Sequence, residues 1–395
     1  MADMNVIHHI NELKKVLAYS KNIGFFLGAG SSCAFGLPSI CTLTNEVKDK
    51  LDPNSKDIYE KAAEDIKALN GGRDATIEDI LNYLRQIRDL TKGHKDREYN
   101  GINGERATFL DKKICREIYS NIKEKEDAAD IKELRKFFAW YDAATNGFIK
   151  EVFTTNYDML LEMDLEANYI TYFDGFTGSY EPFFNPESIE DFPSMNDSTS
   201  RWIRLRKIHG SLNWSLKEKT ETSAERIVRS SINGSPSNEL MIYPSKEKYA
   251  LSRREPFIAY FDRLKKYMLN GELVFIFSGY SFSDQHINDI IFNALRQNPR
   301  LYVVVTCFLD AQVEDMATYA DAHLNLCVMG PKKVIANGTI FEWKYDESND
   351  DPQGNEFYWD KAEEKLVLGD FKKLISFLVD NSGRQSVIEV IANGK

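Results

Sequence analysis

Short apolar runs recur along the chain, each broken by a glycine-rich or polar turn and then followed by helical periodicity. The first, Ile23 to Leu27, breaks into Gly28-Ala29-Gly30-Ser31-Ser32. The second, Phe148 to Thr154, ends in Thr154-Thr155-Asn156-Tyr157-Asp158. Ile203 to Ile208 stops at His209-Gly210-Ser211-Leu212-Asn213-Trp214, and Leu273 to Phe277 ends in Ser278-Gly279-Tyr280-Ser281. Leu301 to Phe308 and a short run at 324–329 complete the set. Uninterrupted runs such as Ile23 to Leu27 and Leu273 to Phe277 are strands buried on both faces, and Phe148 to Thr154 and Ile203 to Ile208 are strand-like. The rhythm of strand, turn and helix predicts an α/β fold with a doubly wound, mostly parallel, Rossmann-like sheet.

Helical spacing fills the gaps between these runs. Ile7, Ile10, Leu13, Val16 and Leu17 share one face before the first strand. Helices are predicted over 43–51, 57–69, 107–125, 129–145 and 159–166, and again near 284–296, 311–321 and 369–380. Thr76-Ile77-Glu78-Asp79 has the form of a capping box, and Ile77, Ile80, Leu81, Leu84, Ile87 and Leu90 follow as a core stripe. Polar composition predicts loops over 91–105 and 180–200, a polar excursion over 216–240 and an acidic loop near 346–356. The expected organisation is a nucleotide-binding unit over residues 1–330, carrying a largely helical insertion at about 40–145. Residues 331–395 form a C-terminal extension packed on that unit or used in assembly.

At 395 residues the chain can bury a large core. Its 43% hydrophobic and 28% charged content describe a soluble protein, and a net charge of −11 argues against a general nucleic-acid-binding surface. No apolar run approaches a membrane span, and Met1 to Lys21 lacks a secretory apolar core, so a cytoplasmic location is expected. The five cysteines include no C-x-x-C pair, which disfavours a structural zinc site and suits reduced thiols.

In doubly wound sheets, ligands bind beyond the carboxyl ends of the strands, where the Gly28, Asn156, His209 and Gly279 groups all fall. A glycine turn opening a helix lets backbone approach a phosphate, and equally suits a turn that needs positive φ. The turn departs from G-x-G-x-x-G, because Cys33 takes the third glycine position and no acidic strand end follows about twenty residues later. An ordinary dehydrogenase is thereby disfavoured. Asn156 and Asp158 can offer hydrogen bonds into a crevice or cap a helix. His209 suits a general base, having an intrinsic pKa near neutrality, and equally suits a hydrogen-bonded structural role.

In content and order, G-A-G-S-S…G-L-P-S, T-T-N-Y-D, K-I-H-G-S-L-N-W and S-G-Y-S-F-S-D-Q-H-I resemble the sirtuin family over roughly residues 20–330. The resemblance is nearest to the bacterial sirtuin-like proteins of anti-phage defence. It implies NAD+ as substrate, with Gly28, Ala29, Gly30 and Ser31 holding the pyrophosphate and Pro38 and Thr155 among the dinucleotide-binding residues. It further implies Asn156 and Asp158 at the nicotinamide ribose, His209 as the catalytic histidine, and Gly279 and Ser281 on the adenosine side.

Two departures separate the chain from the deacetylating branch: the paired C-x-x-C motifs of a zinc ribbon are missing, and Pro38 is followed by Ser39-Ile40-Cys41 rather than D-F-R. The resemblance therefore implies hydrolysis of NAD+ to nicotinamide and ADP-ribose, depleting the cofactor in abortive infection, with no zinc and no other metal. It also implies a homo-oligomer partnered with a HerA-type ATPase, meeting nucleic acid only through that partner. Protein deacylation, or a regulatory NAD- or ADP-ribose-binding subunit of an ATPase/nuclease complex, are the alternatives.

Overall fold

The apolar runs come together in one mixed sheet of a computed structural model, which describes residues 2–20, 22–91, 94, 96–144, 147–190, 201–217, 226–230, 240–242, 255–346 and 355–381. In chain order its strands are β1 (Ala2–Asn5), β2 (Ile23–Leu27), β3 (Lys150–Thr154), β4 (Tyr172–Phe173) and β5 (Ile203–Lys207). They continue as β6 (Leu273–Ser278), β7 (Leu301–Thr306), β8 (Leu326–Met329), β9 (Lys333–Ala336) and β10 (Thr339–Lys344). Across the sheet the order is β1-β10-β9-β8-β7-β6-β2-β3-β5-β4. Every pair from β8 to β4 is parallel, β8–β9 and β9–β10 are antiparallel, and β1 lies parallel to β10.

Successive side chains of a strand face opposite sides, so an apolar run feeds two cores at once. Phe25 and Leu27 enter one apolar cluster with Val274 and Ile276, while Phe26 enters the other with Phe275 and Phe277. The N-terminal helix Val6–Tyr19, the insertion helices between β2 and β3, and the C-terminal helix Phe371–Asn381 cover the first face. Helices Phe257–Leu269, Gln285–Gln297 and Asp310–Ala320 cover the second. The fold is thus the expected doubly wound α/β type. From β2 the chain builds outward through β3 and β5 on one side, then crosses to β6, β7 and β8 on the other. That reversal opens a crevice at the carboxyl ends of β2, β3 and β6.

Some stretches differ from expectation. Residues 91–105 hold a hairpin, Glu98–Tyr99 with Ile102–Asn103. Its Asn100-Gly101 turn has both φ values positive, 49° and 71°, the geometry that matches strand twist. The region after His209 is not only a polar excursion. Gly210–Lys217 forms a strand that buries Leu212 and Trp214 and joins Arg226–Arg229, Leu240–Ile242, Phe183–Phe184 and Phe176–Thr177 in a second, antiparallel sheet. Its weak apolar signal reflects strands with one polar face. Beyond residue 330, β9 and β10 belong to the main sheet, and Phe371–Asn381 packs on the insertion helix Lys132–Ala144. Residues 191–200, most of 216–240 and most of the acidic stretch at 346–356 lie outside the described residues. No helix among the described residues is long and apolar enough to cross a membrane.

Candidate active site

Two turns meet where β2 and β6 end. Gly28 N–H donates to the Ser278 carbonyl and Gly30 N–H to the Gly279 carbonyl, both at 2.9 Å. A Cβ on Gly28 would stand 2.4 Å from the Gly279 oxygen, and one on Gly279 would stand 2.2 Å from the Ser31 nitrogen. Gly279 also has φ +67°. Glycine is therefore required here for backbone-to-backbone contact between the turns. Ser31 turns inward, its N–H and Oγ both donating to the Gly28 carbonyl at 3.0 and 2.7 Å. The N–H groups of Gly30 and Ser31 are thus already directed at protein carbonyls.

Asn156 follows β3, where Thr154 Oγ1 donates to the Leu27 carbonyl and accepts from Asn156 N–H. Its Nδ2 reaches the Gly28 carbonyl at 2.9 Å, Ser31 Oγ at 3.1 Å and Ser32 Oγ at 2.8 Å. A carbonyl only accepts, so the amide nitrogen must occupy that position, which fixes the flip and leaves Oδ1 as the end for a ligand. Asp158 is buried, with Oδ2 accepting from Ser32 Oγ at 2.6 Å and Oδ1 from Leu160 N–H at 3.2 Å. Ser32 therefore ties Asn156 to Asp158.

Lys207, the last residue of β5, is buried beneath this loop. Its Nζ donates to the Asp158 carbonyl, to Glu162 Oε1 at 2.8 Å and to Ser211 Oγ at 2.9 Å. With Leu212 N–H donating to the Tyr157 carbonyl, this brackets His209 from both sides. Gly210, at φ +92°, then turns the chain into the second sheet. His209 has a side chain 14% exposed, and its Nε2 lies 3.0 Å from Asp284 Oδ2. Asp284 is the N-cap of Gln285–Gln297, its Oδ1 accepting from His286 N–H at 3.0 Å.

All these groups border one cavity of about 1140 Å³. Ala29, Gly30, Pro38, Thr155, Asn156, Asp158, His209, Gly279 and Ser281 line it, whereas Gly28 and Ser31 stand behind its wall. Ser32, Lys207 and Asp284 join this constellation through their contacts and are not among the residues that the sequence singles out. The cap at Asp284 has a local signal, a carboxylate just before a helix, but its contact with His209 spans 75 positions and has none. Cys33 also lines the cavity, and burial together with nearby Asp158 pushes its thiol upward. Below Asp158, burial raises the Glu126 carboxyl to about 7. Among the described residues no group of three or more His, Cys, Asp or Glu is arranged to hold a metal ion.

Parts of the chain are similar to known proteins. Residues 150–327 match the family model described as a SIR2-like domain, a stretch running from β3 into β8 that contains Asn156, Asp158, His209 and Gly279. No curated protein matches the chain. A solved Sir2 homologue in complex with NAD is similar at 15% sequence identity, covering 75% of this chain and 81% of its own, with a TM-score of 0.36.

Proposed function

We propose that the cavity binds NAD+ and cleaves its nicotinamide–ribose bond with water, releasing nicotinamide and ADP-ribose. The observation that carries this reading is the convergence of Asn156, Asp158 and the His209–Asp284 pair in the cavity into which the two glycine turns open. The match of residues 150–327 to a SIR2-like domain supports it.

The residues present fit such a substrate. Small-molecule pockets run to about 300–1,000 Å³, so a cavity of about 1140 Å³ has room for a dinucleotide. Glu78, Asp79, Asp158, Asp284 and Asp370 line it, against Arg73 as the only lysine or arginine among the described residues. That balance favours a cationic ring, and with it the oxidised nicotinamide over the reduced one. Because the ring departs as a neutral molecule, no acid is needed to protonate it. Asp158 is placed to stabilise positive charge growing on the sugar in an oxocarbenium-like transition state. Asn156 Oδ1 orients the water or a ribose hydroxyl, and His209 accepts the proton that the water gives up.

The wider reading is NAD+ depletion in anti-phage defence, by a cytoplasmic homo-oligomer working with a HerA-type ATPase. It is supported by the order and content of the four turn motifs. Chromatography of NAD+ incubated with the purified chain tests the chemistry. Asn156→Ala and His209→Ala are each expected to lower nicotinamide release by ~10²–10⁴-fold. A double variant that hydrolyses NAD+ at the wild-type rate removes the site from consideration. Release that depends strictly on an acyl-lysine peptide moves the reading to deacylation.

A further inference from the structure

The contact between His209 and Asp284 joins the two halves of the sheet. His209 follows β5 and Asp284 follows β6, and these strands are separated by β2 and β3. The two oxygens of Asp284, itself only 4% exposed, are engaged differently. Oδ1 accepts from His286 N–H and caps the helix Gln285–Gln297, while Oδ2 meets His209 Nε2. An ionised carboxylate has no proton to give, so the hydrogen between the two groups sits on the ring nitrogen.

We propose that Asp284 is a positioning residue that holds His209 in the Nε2–H tautomer and makes Nδ1 the basic nitrogen of the ring. Its catalytic half rests on the NAD+ cleavage proposed above; its tautomeric half does not. The helix cap matters as much as the contact, because it fixes which oxygen faces the ring. A carboxylate free to rotate would hold the ring less firmly.

Asp284→Asn separates positioning from capping. Asparagine caps helices about as well as aspartate, so the helix keeps its start. With Oδ1 still taken by His286 N–H, the amide Nδ2 replaces Oδ2 and donates to Nε2, driving the ring proton to Nδ1. The experiment is two-bond ¹⁵N–¹H spectroscopy of the histidine-labelled protein at mildly alkaline pH. There are six histidines to resolve, and His209→Gln identifies the resonance of interest. Nicotinamide release is measured in parallel.

The wild type is expected to show the Nε2–H pattern and Asp284→Asn the Nδ1–H pattern. The variant should lose ~10²–10⁴-fold in kcat, with KM for NAD+ rising by less than about tenfold, since it removes the charge of one of the five carboxylates lining the cavity. A wild-type spectrum of the Nδ1–H form overturns the proposal without need of any variant, and so does Asp284→Asn turning over like wild type. If the wild type releases no nicotinamide, the proposed cleavage fails, while the spectra still decide the tautomer.

Discussion

Glu126 illustrates how a single buried group beside the site sets a pH response. It is 2% exposed, and its Oε1 accepts from Met159 N–H at 2.6 Å, under the Asp158 loop. Burial raises its carboxyl from 4.5 to about 7; the Met159 hydrogen bond opposes the rise, and Asp158 adds to it. The folded chain therefore keeps this proton up to about 7, whereas the unfolded chain loses it near 4.5. The associated stability is fully present below 4.5 and is lost as pH climbs through 7, a difference of about 3 kcal/mol at 1.36 kcal/mol per pKa unit. Glutamine keeps an accepting oxygen for Met159 and never ionises. Glu126→Gln is accordingly expected to be more stable than wild type above pH 7 by about 3 kcal/mol, the gap closing toward pH 4.5. Urea unfolding across that range measures it, and a gap that does not change with pH contradicts the assignment.

At the level of elements, the β2 and β6 turns act as one unit. Gly279 combines a positive φ with backbone contacts that leave a Cβ no room, whereas Gly36 has φ +93° and open space around it. Alanine at Gly36 meets only backbone strain, about 1 kcal/mol. Alanine at Gly279 must also push the β2 turn away, so Gly279→Ala is expected to cost about 2–4 kcal/mol and to raise KM for NAD+. Denaturant unfolding of the two variants side by side tests the difference, and equal costs would show that the turns are not in contact. The same pair shows what a sequence reveals. Continuous apolar runs mark β2, β6 and β7 because burial on both faces removes alternation. The capping box is legible because it is local, and Thr76 Oγ1 and Asp79 Oδ2 do exchange bonds with each other's N–H. The reason for glycine at 28 and 279 is not legible, since it lies in an approach between residues some 250 positions apart. The buried Lys207 and the Asp284 contact are hidden for the same reason. β1 is too short and too polar to announce itself, and exists by pairing with β10, more than 300 positions away.

Across the whole molecule, the first and last of the described elements close on each other and on the site. β1 pairs with β10, and the N-terminal helix meets the C-terminal one, with Lys14 Nζ 5.8 Å from the Phe377 ring centroid. Phe371 packs edge-on against Phe137 in the insertion at 5.5 Å, and against Phe35 just beyond the first glycine turn at 6.2 Å. Gly369 lies against the backbone of Cys307 at the end of β7, and with Asp370 it lines the cavity. The helix Phe371–Asn381 buries Phe371, Leu374, Ile375, Phe377, Leu378 and Val379. At about 1.5–3 kcal/mol for each large apolar side chain removed from water, these six side chains contribute about 9–18 kcal/mol. That is comparable with the whole net stability of an ordinary domain, about 5–15 kcal/mol. A chain cut after Gly330 would lose this helix together with β9 and β10, leaving β1 without its strand partner and β8 as an open edge paired only with β7. It should therefore fail to give a cooperatively unfolding protein, and neither nicotinamide release nor NAD+ binding should survive. Phe377→Ala is the graded form of the same test, with an expected cost of about 3–5 kcal/mol. If the fragment 1–330 unfolded in a single sharp transition and still cleaved NAD+, residues beyond 330 would be an appendage, and the support they lend to Phe35 and the cavity wall would be dispensable.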